Sequence, residues 1–328
     1  MDPLQSTLLA YLNQVPDFRC TRGRRFAWAY LLALLAAAVA AGQTSVLAMV
    51  CWARDHRGEL LTTLQPACPR LPSAATWRRL VAYIDMRTLE QQVAAYNQAL
   101  DQADVTRGTI RLRQGQVLRA QAVDGKDVRG ASAHGQHTFL VSLVRHESAY
   151  VLGQAAVDVK TNEITAVPIL LAGRDLTGTI TTMDALLTQR HLAQQILDQG
   201  GHYLMIIKKN QPTLYWAAQL VFDEPPLPRQ PGERASNRTS DKAHGRWERR
   251  TLVTTTALNE YLTWPGVAQV MRRTCRRMHE CTGKYETEVT YGLTSLPAAW
   301  AGPAQLEQVW RGHWTIENRL HYVRDETF

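Results

Sequence analysis

The sequence predicts an α/β protein in which an all-helical N-terminal domain precedes a mixed five-stranded sheet with flanking helices. Apolar residues recur at helical intervals up to about residue 105, whereas strand-like runs begin near residue 115. The later elements follow the order of three successive strands, then two more strands that each come after a helix. Because short turns join antiparallel neighbours and helices join parallel ones, this order is typical of a mixed sheet covered by helices.

The N-terminal domain, residues 1–105, is predicted to consist of packed helices. "WAYLLALLAAAVAAG" ends on a glycine, a typical C-terminal helix cap, and "SVLAMVCWARDH" repeats its apolar residues at helical spacing. "PSAATWRRLVAYID" places Trp77, Leu80, Val81 and Ile84 on one face, which suits either a DNA-recognition helix or a packing helix. Four arginines in "RCTRGRR" make this domain a candidate for DNA binding.

Residues 115–215 contain the five predicted strands. "GQVLRAQAVD" predicts the first strand, and "HTFLVSLVRHESAYVLGQAAVD" predicts two strands joined by a short polar turn. "GTITTMD" and "HYLMIIKKNQP" predict the fourth and fifth strands. They follow the helix-like segments "TNEITAVPILLAG" and "LTQRHLAQQILDQGG".

Residues 216–302 are predicted to form a loop and a β-rich insertion. The segment 223–245 is rich in proline, charge and small polar residues, which is typical of a loop. Three strand-like segments follow it, "RWERRTLVTTT", "GVAQVMRRTCRRM" and "YETEVTYGLTSL". Pro303 then begins a final predicted helix over residues 303–328.

Composition limits the class of protein. The 45% hydrophobic and 20% charged residues exclude a largely disordered chain. The net charge of +8 favours a polyanionic partner, although a generally basic surface gives the same total. Five cysteines without a C-x-x-C pair argue against a disulfide framework and favour a reducing compartment. The longest apolar run, residues 30–41, is too short to span a bilayer, so no membrane partner is expected.

Two aspartates stand at the ends of predicted strands. Asp124 closes the apolar run "AQAVD" and is followed by Gly125, Lys126 and a charged turn, while Asp184 closes the fourth strand. In such sheets, ligands bind at the carboxyl ends of the strands. Either aspartate alone is equally typical of a turn or a helix cap. Two of them on one sheet of a basic protein predict a metal site.

The final predicted helix supplies a third carboxylate. Trp310, His313, Glu317 and Arg324 are spaced by 3, 4 and 7 residues, so they share one helical face. Glu317 lies at the margin of the apolar stripe, where a carboxylate is costly unless it is paired or metal-bound. A salt bridge from Glu317 to Arg324, or to a lysine elsewhere in the chain, is one alternative. A zinc site on His313, Glu317 and His321 is another, for which no further ligand is evident.

Five segments in fixed order resemble a known family: "VDGKDVRG", "MDALLTQ", "KKNQPTL", "DKAHGRWERR" and "RGHWTIENRLHYVRDETF". Together they resemble the DDE transposases of bacterial insertion sequences, specifically the H-repeat-associated branch. The resemblance implies a ribonuclease-H-like core formed by residues 115–215 and 303–328. It also implies that Asp124, Asp184 and Glu317 are the catalytic metal ligands.

The same resemblance implies the chemistry and the partners. Two Mg²⁺ or Mn²⁺ ions per active site would serve cleavage at the terminal inverted repeats and transfer of the freed 3′-hydroxyl end to target DNA. A homodimer on DNA in the bacterial cytoplasm is expected, because two ends must be cut together.

The chain departs from the family pattern at three places. Trp310, His313 and Arg324 stand where the wider superfamily has tyrosine, arginine and lysine, so all three are expected to contact DNA. Leu187 replaces the branch's usual histidine three residues after the second aspartate. Family members continue past "DETF", so the resemblance implies a truncated chain. An inactive DNA-binding relic and a structure-specific nuclease stay open as alternatives.

Basic residues predict the DNA-contacting surface. Residues 229–277 contain 11 Lys/Arg and 4 Asp/Glu, a net charge of +7. In "HGRWERR", Arg246, Glu248 and Arg250 share one strand face, for which a solvated, charge-paired surface is the alternative. Besides the three residues of the final helix, the predicted DNA contacts are Lys126, Lys208, Lys209, Asn210, His244, Arg246, Arg249 and Arg250.

Overall fold

The computed structural model describes residues 7–104, 106–128, 138–157, 163–224, 233–243, 246–280 and 283–327. The chain divides into two compact units. The helical unit comprises residues 1–104, 151–153 and 323–328, and the sheet unit comprises residues 105–150 and 154–322. The domain boundaries at residues 115, 216 and 303 stay predictions. Among the described residues, no helix has the length and apolar character needed to cross a membrane.

The helical unit contains six α-helices in its described N-terminal part. They are α1 (Leu8–Leu12), α2 (Trp28–Ala40), α3 (Val46–Asp55), α4 (Arg57–Leu64), α5 (Ala74–Tyr83) and α6 (Met86–Ala103). Ser45 caps α3 by accepting a hydrogen bond from the Ala48 amide, and Asp85 caps α6 in the same way from Thr88. Trp77, Leu80 and Ile84 are buried in the core of this unit. Val81 is 45% exposed, so the predicted apolar face of α5 is narrower than expected.

Ten strands occur in the described chain, and all of them lie in the sheet unit except the first three residues of β4. They are β1 (Thr109–Arg111), β2 (Val117–Val128), β3 (Thr138–Arg145), β4 (Val151–Val157), β5 (Thr179–Met183), β6 (His202–Ile207), β7 (Arg234–Ala243), β8 (Arg246–Thr255), β9 (Gln269–His279) and β10 (Tyr285–Thr294). The later helices of the chain are α7 (Glu163–Leu171), α8 (Arg190–Asp198), α9 (Pro212–Asp223), α10 (Pro303–Gly312) and α11 (Tyr322–Thr327).

The strands form one mixed sheet in the order β4-β3-β2-β5-β6-β10-β9-β8-β7, with β1 paired to β2. β3 is antiparallel to β2, whereas β5 and β6 run parallel to it. The predicted α/β class is confirmed, but the predicted count of five strands is wrong. β10 pairs with β6, so the strands of the predicted insertion continue the same sheet.

Three local predictions are also corrected. The segment 223–245 is not all loop, because β7 pairs along its whole length with β8. The charged turn expected after Asp124 is strand, since residues 124–128 pair with β3. The final helix is not continuous: it leaves α geometry at His313 and passes through a π-helical segment, Ile316–His321.

Helix α10 packs on the sheet and completes its apolar core. Leu306, Val309 and Trp310 lie in one cluster with apolar residues of β1, β2, β5, β6, β8 and β9. Gly292 of β10 is required at this contact, because a Cβ there would lie 2.6 Å from the Trp310 ring. A buried ion pair from Arg273 of β9 to Glu307, at 2.9 Å, holds the same helix.

Candidate active site

Asp124 and Asp184 occupy equivalent places on neighbouring parallel strands. Val123 of β2 pairs with Met183 of β5, and the next residue along each strand is the aspartate. Adjacent strands lie about 4.8 Å apart, so the register brings the two side chains to one edge of the β2–β5 pair. The sequence placed both aspartates at strand ends, but only the pairing sets them side by side.

Short hydrogen bonds orient both carboxylates. Asp124 Oδ1 accepts from the Gly125 amide, and Asp184 Oδ1 accepts from the Leu187 amide, each at 2.9 Å. The Leu187 side chain is fully buried, so this residue acts on Asp184 through its backbone. Thr188 fixes the same turn by donating to the Asp184 carbonyl at 2.9 Å. Asp184 is therefore held by the turn that follows β5.

Glu317 lies in the π-helical segment, close to the two aspartates. The residue is exposed, yet partial burial of its carboxyl group and the nearby Asp184 raise the pKa of Glu317. Lys208 and Lys126 oppose that increase, so both ammonium groups also lie within electrostatic range. The structure thus brings all three predicted carboxylates together from β2, the turn after β5 and the π-helical segment.

Asp124 is the most perturbed carboxyl group of the three. Its side chain is 16% exposed, and burial, followed by the charges of Asp184 and Glu317, raises the pKa of Asp124 to about 7. The Gly125 hydrogen bond opposes this shift. His321 Nδ1 lies 3.6 Å from Asp124 Oδ2. Protonation of His321 would add a positive charge directly beside Asp124.

A fourth carboxylate that was not predicted from the sequence, Glu163, lies at the start of α7. A Cβ on Gly125 would lie 2.5 Å from the Glu163 carboxyl carbon and 2.7 Å from the Phe139 ring. Successive side chains alternate between sheet faces, so Glu163 approaches Asp124 from the opposite side of β2. Burial and Asp184 raise the pKa of Glu163. The only sequence signal was the glycine after Asp124, which leaves room for this side chain.

A buried polar chain ties the end of α10 to β5. Thr182 Oγ1 donates to the Gln121 carbonyl at 3.2 Å, and it lies 3.1 Å from His146 Nε2 and 2.9 Å from His313 Nδ1. With its one proton so placed, the hydroxyl accepts from both imidazoles. Burial lowers the pKa of His313 to about 4 and that of His146 to about 3, so both are neutral at pH 7. Gly312 faces the His146 ring, where a Cβ would clash.

The residues suit a divalent ion in donor type and charge. Asp124, Asp184 and Glu317 offer the oxygen ligands that Mg²⁺ and Mn²⁺ prefer, and Asp124 faces two like charges that a cation would neutralise. Across the described ranges, no three carboxylate, imidazole or thiol side chains converge into a formed metal cluster. The fit therefore lies in the chemistry of the donors, not in a preformed coordination geometry.

The family model "Transposase DDE domain" matches residues 115–328, which contain Asp124, Asp184 and Glu317. The chain belongs to the DDE transposase family. A second model, described as DDE_Tnp_1-associated, matches residues 9–97 of the helical unit. The DDE family usually uses a divalent metal, which agrees with the donor set of the site.

Three curated relatives show the same similarity. "Putative transposase YncI" of Escherichia coli O157:H7 is 27% identical over 97% of this chain and 79% of its own length. An uncharacterised protein of the dhlA 3′ region of Xanthobacter autotrophicus is 30% identical over 87% of this chain and 93% of its own. "H repeat-associated putative transposase YhhI" of E. coli K12 is 31% identical, over 62% of this chain and 55% of its own. The predicted H-repeat-associated branch is confirmed.

Several of the predicted DNA contacts lie beside the three carboxylates. Lys126 and Lys208 are near Glu317, and Lys209 is exposed next to Lys208. Asn210 also has a local role, because its side-chain amide donates to the Ala185 carbonyl at 2.7 Å. The turn after β6 is thereby joined to the turn that holds Asp184.

The insertion of this DDE chain presents two different faces. Residues directly opposite one another in β7–β9 share a face, and on one face Arg250, Arg273 and Arg277 are paired with carboxylates, whereas Arg246 forms no ion pair within the described residues. These pairs are Arg250 with Asp241 and Glu248, Arg273 with Glu307, and Arg277 with Glu248 and Glu288. The charge-paired alternative thus describes Arg250, whose guanidinium is already committed to two carboxylates.

The opposite face carries Arg238, Arg249 and Arg276 around a shallow cavity of about 220 Å³, with Thr251 and Thr274. Arg249 and Arg276 are cross-strand partners. Within the described ranges, none of the three arginines forms an ion pair with a carboxylate. Two like charges directly opposite each other are unfavourable unless an anion lies between them. We call this surface the arginine face.

Two predicted contacts are corrected by burial. Trp310 is 1% exposed and His313 is 4% exposed, so neither offers a surface to DNA; Trp310 lies in the core and His313 bonds Thr182. Glu317 is exposed by contrast, so the predicted face does not present these residues together to solvent. Arg324 is half-buried in the helical unit near Glu90. Arg246 is exposed on the face of Arg250, and His244 lies outside the described residues.

Proposed function

We propose that this chain is a DNA transposase that cuts at the terminal inverted repeats of an insertion sequence and transfers the freed 3′-hydroxyl end to target DNA. The observation that carries the proposal is the pairing of Val123 with Met183, which sets Asp124 beside Asp184, with Glu317 close by. Membership of the DDE family supports the same assignment of these three carboxylates.

The strand arrangement supports a ribonuclease-H-like catalytic core. β2 lies centrally, with the antiparallel β3 on one side and the parallel, helix-linked β5 and β6 on the other. We assign β7–β10 to the insertion that precedes the catalytic helix. In this chain the insertion extends the core sheet, so a displacement of β9 or β10 would be transmitted to α10 through Arg273 and Glu307.

Asp124, Asp184 and Glu317 would hold two Mg²⁺ or Mn²⁺ ions. When bound, such ions stabilise negative charge on the attacking and leaving oxygens of a phosphodiester. The protein itself contributes orientation: the Leu187 and Gly125 amides fix the aspartates, and the His146–Thr182–His313 chain fixes the end of α10. Lys126 and Lys208 add positive charge beside Glu317, where a DNA phosphate would approach.

DNA is the proposed partner of both steps, and a homodimer is the proposed active form, since two transposon ends must be cut together. The arginine face supplies a phosphate-binding surface on the insertion, because its guanidinium groups are exposed and lack carboxylate partners in the described part of the chain. Among the insertion residues predicted from the sequence, Arg249 belongs to this surface.

The test is a cleavage and joining assay on labelled duplex DNA that carries the element's terminal inverted repeat. Wild type, Asp124→Asn and the control Asp198→Asn are compared with Mg²⁺, with Mn²⁺ and with EDTA. We expect nicks at the repeat boundary and joined products with wild type and the control, and neither with Asp124→Asn or EDTA. Cutting without joining would instead identify a nuclease, and DNA binding without cutting by any protein would overturn the catalytic proposal.

A further inference from the structure

The helical unit contains a large cavity of its own. It measures about 690 Å³ and is bordered by residues 18–31 and 70–83. The basic segment "RCTRGRR" and the helix α5 are thereby brought to one site, although the sequence alone left them as separate features. The volume is within the range of small-molecule and cofactor sites.

Arg19 lines this cavity, and its side chain is held by several contacts. Arg19 binds both oxygens of Asp17, at 2.8 and 2.9 Å, and donates to the Phe26 carbonyl at 3.0 Å. Its guanidinium lies 5.1 Å from the centre of the Trp28 ring. Arg24 shares the same carboxylate at 3.5 Å. Asp17 is therefore fully used in closing the loop.

The other arginines that line the cavity are exposed to solvent. Five arginines and no acidic residue occur among the described residues that line the cavity. Arg22, Arg25, Arg70 and Arg79 are exposed, and none of them forms an ion pair with a carboxylate in the described part of the chain. Four solvent-facing guanidinium groups around one cavity make a strong site for phosphate oxygens.

Two aromatic rings beside these cations are exposed. Tyr83 is 65% exposed and Phe18 is 41% exposed, and their ring centres lie 5.6 Å apart. Phe18 also meets Trp28 edge-on at 5.4 Å, which fixes its orientation. Exposed aromatic faces beside guanidinium groups are how proteins bind unpaired bases, because a ring stacks on the base while the cations hold the backbone.

We infer that this cavity binds an unpaired nucleotide of a DNA strand. The base stacks on the exposed ring of Tyr83, beside Phe18, and neighbouring phosphates bind Arg22, Arg25 and Arg70. A strand suits the site better than a free nucleotide, because the guanidinium groups lie on two segments and match several phosphates. The inference shares only the DNA partner with the proposed function and requires no catalysis.

The test is fluorescence anisotropy of labelled oligothymidylate of twelve nucleotides with the full-length protein. Each variant is measured in the wild-type background and in the Arg249→Ser/Arg276→Ser background. In the second background the arginine face contributes less to binding. The test variants are Tyr83→Leu and Arg22→Ser/Arg70→Ser. The matched controls are Tyr261→Leu, whose ring is 73% exposed in the sheet unit, and Arg54→Ser/Arg57→Ser, on exposed helix positions outside the cavity.

We expect Tyr83→Leu to weaken binding roughly tenfold, as loss of one stacked base does. Arg22→Ser/Arg70→Ser should weaken it similarly at low salt and make the salt dependence shallower by about 1.4 in log–log slope, for two single-strand phosphates. Both controls should bind like wild type. Equal affinity of Tyr83→Leu and Tyr261→Leu would overturn the inference, as would tighter binding to duplex than to the single strand.

Two further measurements distinguish a DNA strand from a free nucleotide as the ligand, and the cavity site from the catalytic proposal. Thymidine monophosphate should displace the oligonucleotide only at concentrations far above the oligonucleotide's Kd; displacement near that concentration would replace the DNA strand with a free nucleotide as the ligand. Tyr83→Leu should weaken binding by the same factor in the Asp124→Asn background as in wild type, because the cavity does not use that carboxylate. Tyr83-dependent binding in a protein that never nicks DNA would sustain the cavity site while refuting the catalytic proposal.

Discussion

Asp124 and Asp184 stand at the same level of two neighbouring parallel strands, because Val123 and Met183 are cross-strand partners. The two carboxylates therefore repel each other in the metal-free protein, and burial adds to the cost of ionising Asp124. This repulsion lowers the free energy of unfolding of the metal-free protein, and the size of that loss can be measured.

The pH dependence of stability should report Asp124. Its folded-state pKa of about 7 exceeds the ordinary value of 3.8, so its contribution to stability is complete below about pH 4 and is lost as the pH rises through 7. In EDTA, Asp124→Asn should therefore raise the free energy of unfolding at pH 8, by at most about 2–4 kcal/mol, and change it little at pH 4. Urea unfolding at the two pH values measures this.

Asp198→Asn, at an exposed aspartate of α8, is the control and should show no such pH-dependent gain. Addition of Mg²⁺ at pH 8 should stabilise wild type more than Asp124→Asn, because an ion that binds only the folded state adds to its stability. Equal responses of the two proteins to Mg²⁺ would remove Asp124 from the ligand set.

Gly125→Ala should damage the site through sterics alone. The new Cβ would lie 2.5 Å from the Glu163 carboxyl group and 2.7 Å from Phe139, so one of them must move. We expect a loss of about 1–3 kcal/mol in the free energy of unfolding, together with reduced nicking. Gly58→Ala in α4 has open space within 4 Å and should be neutral or stabilising by up to about 1 kcal/mol. Similar effects of both changes would refute the close packing at Gly125.

Thr182→Val tests the polar chain beneath the site. Valine keeps the shape but removes the hydroxyl, so His146 and His313 lose the buried partner that they share. We expect about 1–3 kcal/mol of destabilisation in chemical unfolding. Thr287→Val, at an exposed position of β10, should stay within about 0.5 kcal/mol of wild type. If the two variants unfold alike, the hydroxyl is not needed to hold α10.

Arg249→Ser/Arg276→Ser should weaken binding to terminal-repeat duplex without lowering stability. Removal of two opposed, exposed cations relieves repulsion in the free protein, so the unfolding midpoint should stay or rise. The plot of log K against log salt should become shallower by about 1.8 for two duplex phosphates. Arg111→Ser/Arg190→Ser, two exposed arginines away from the arginine face, is the charge-matched control. Identical salt slopes in the two double variants would exclude the arginine face as a DNA surface.

Local patterns in the sequence determined much of this protein. The apolar periodicity predicted α2, α3, α5, α7 and α8 and the strands β2 to β6, because spacings of 3.6 and 2 residues decide which side chains can be buried together. The ordered motifs identified the DDE family, and Asp124 and Asp184 were recognisable as carboxylates that directly follow apolar strand segments. These features depend on neighbours in the chain, which the sequence displays directly.

Other features were decided only by tertiary structure, because they depend on pairing between distant segments. β7 is almost entirely polar and becomes a strand only through β8. The five predicted strands gain β7 to β10 because β10 pairs with β6, and β1 joins as the tenth strand through β2. Strand pairing also places Arg249 and Arg250 on opposite faces. Arg249 is exposed and has no carboxylate partner among the described residues, whereas Arg250 is neutralised by Asp241 and Glu248. Packing of α10 on the sheet buries Trp310, and the contact with Thr182 buries His313, while Glu317 in the π-helical segment stays exposed. A one-dimensional pattern cannot specify such choices, since each is settled by a contact with another part of the chain.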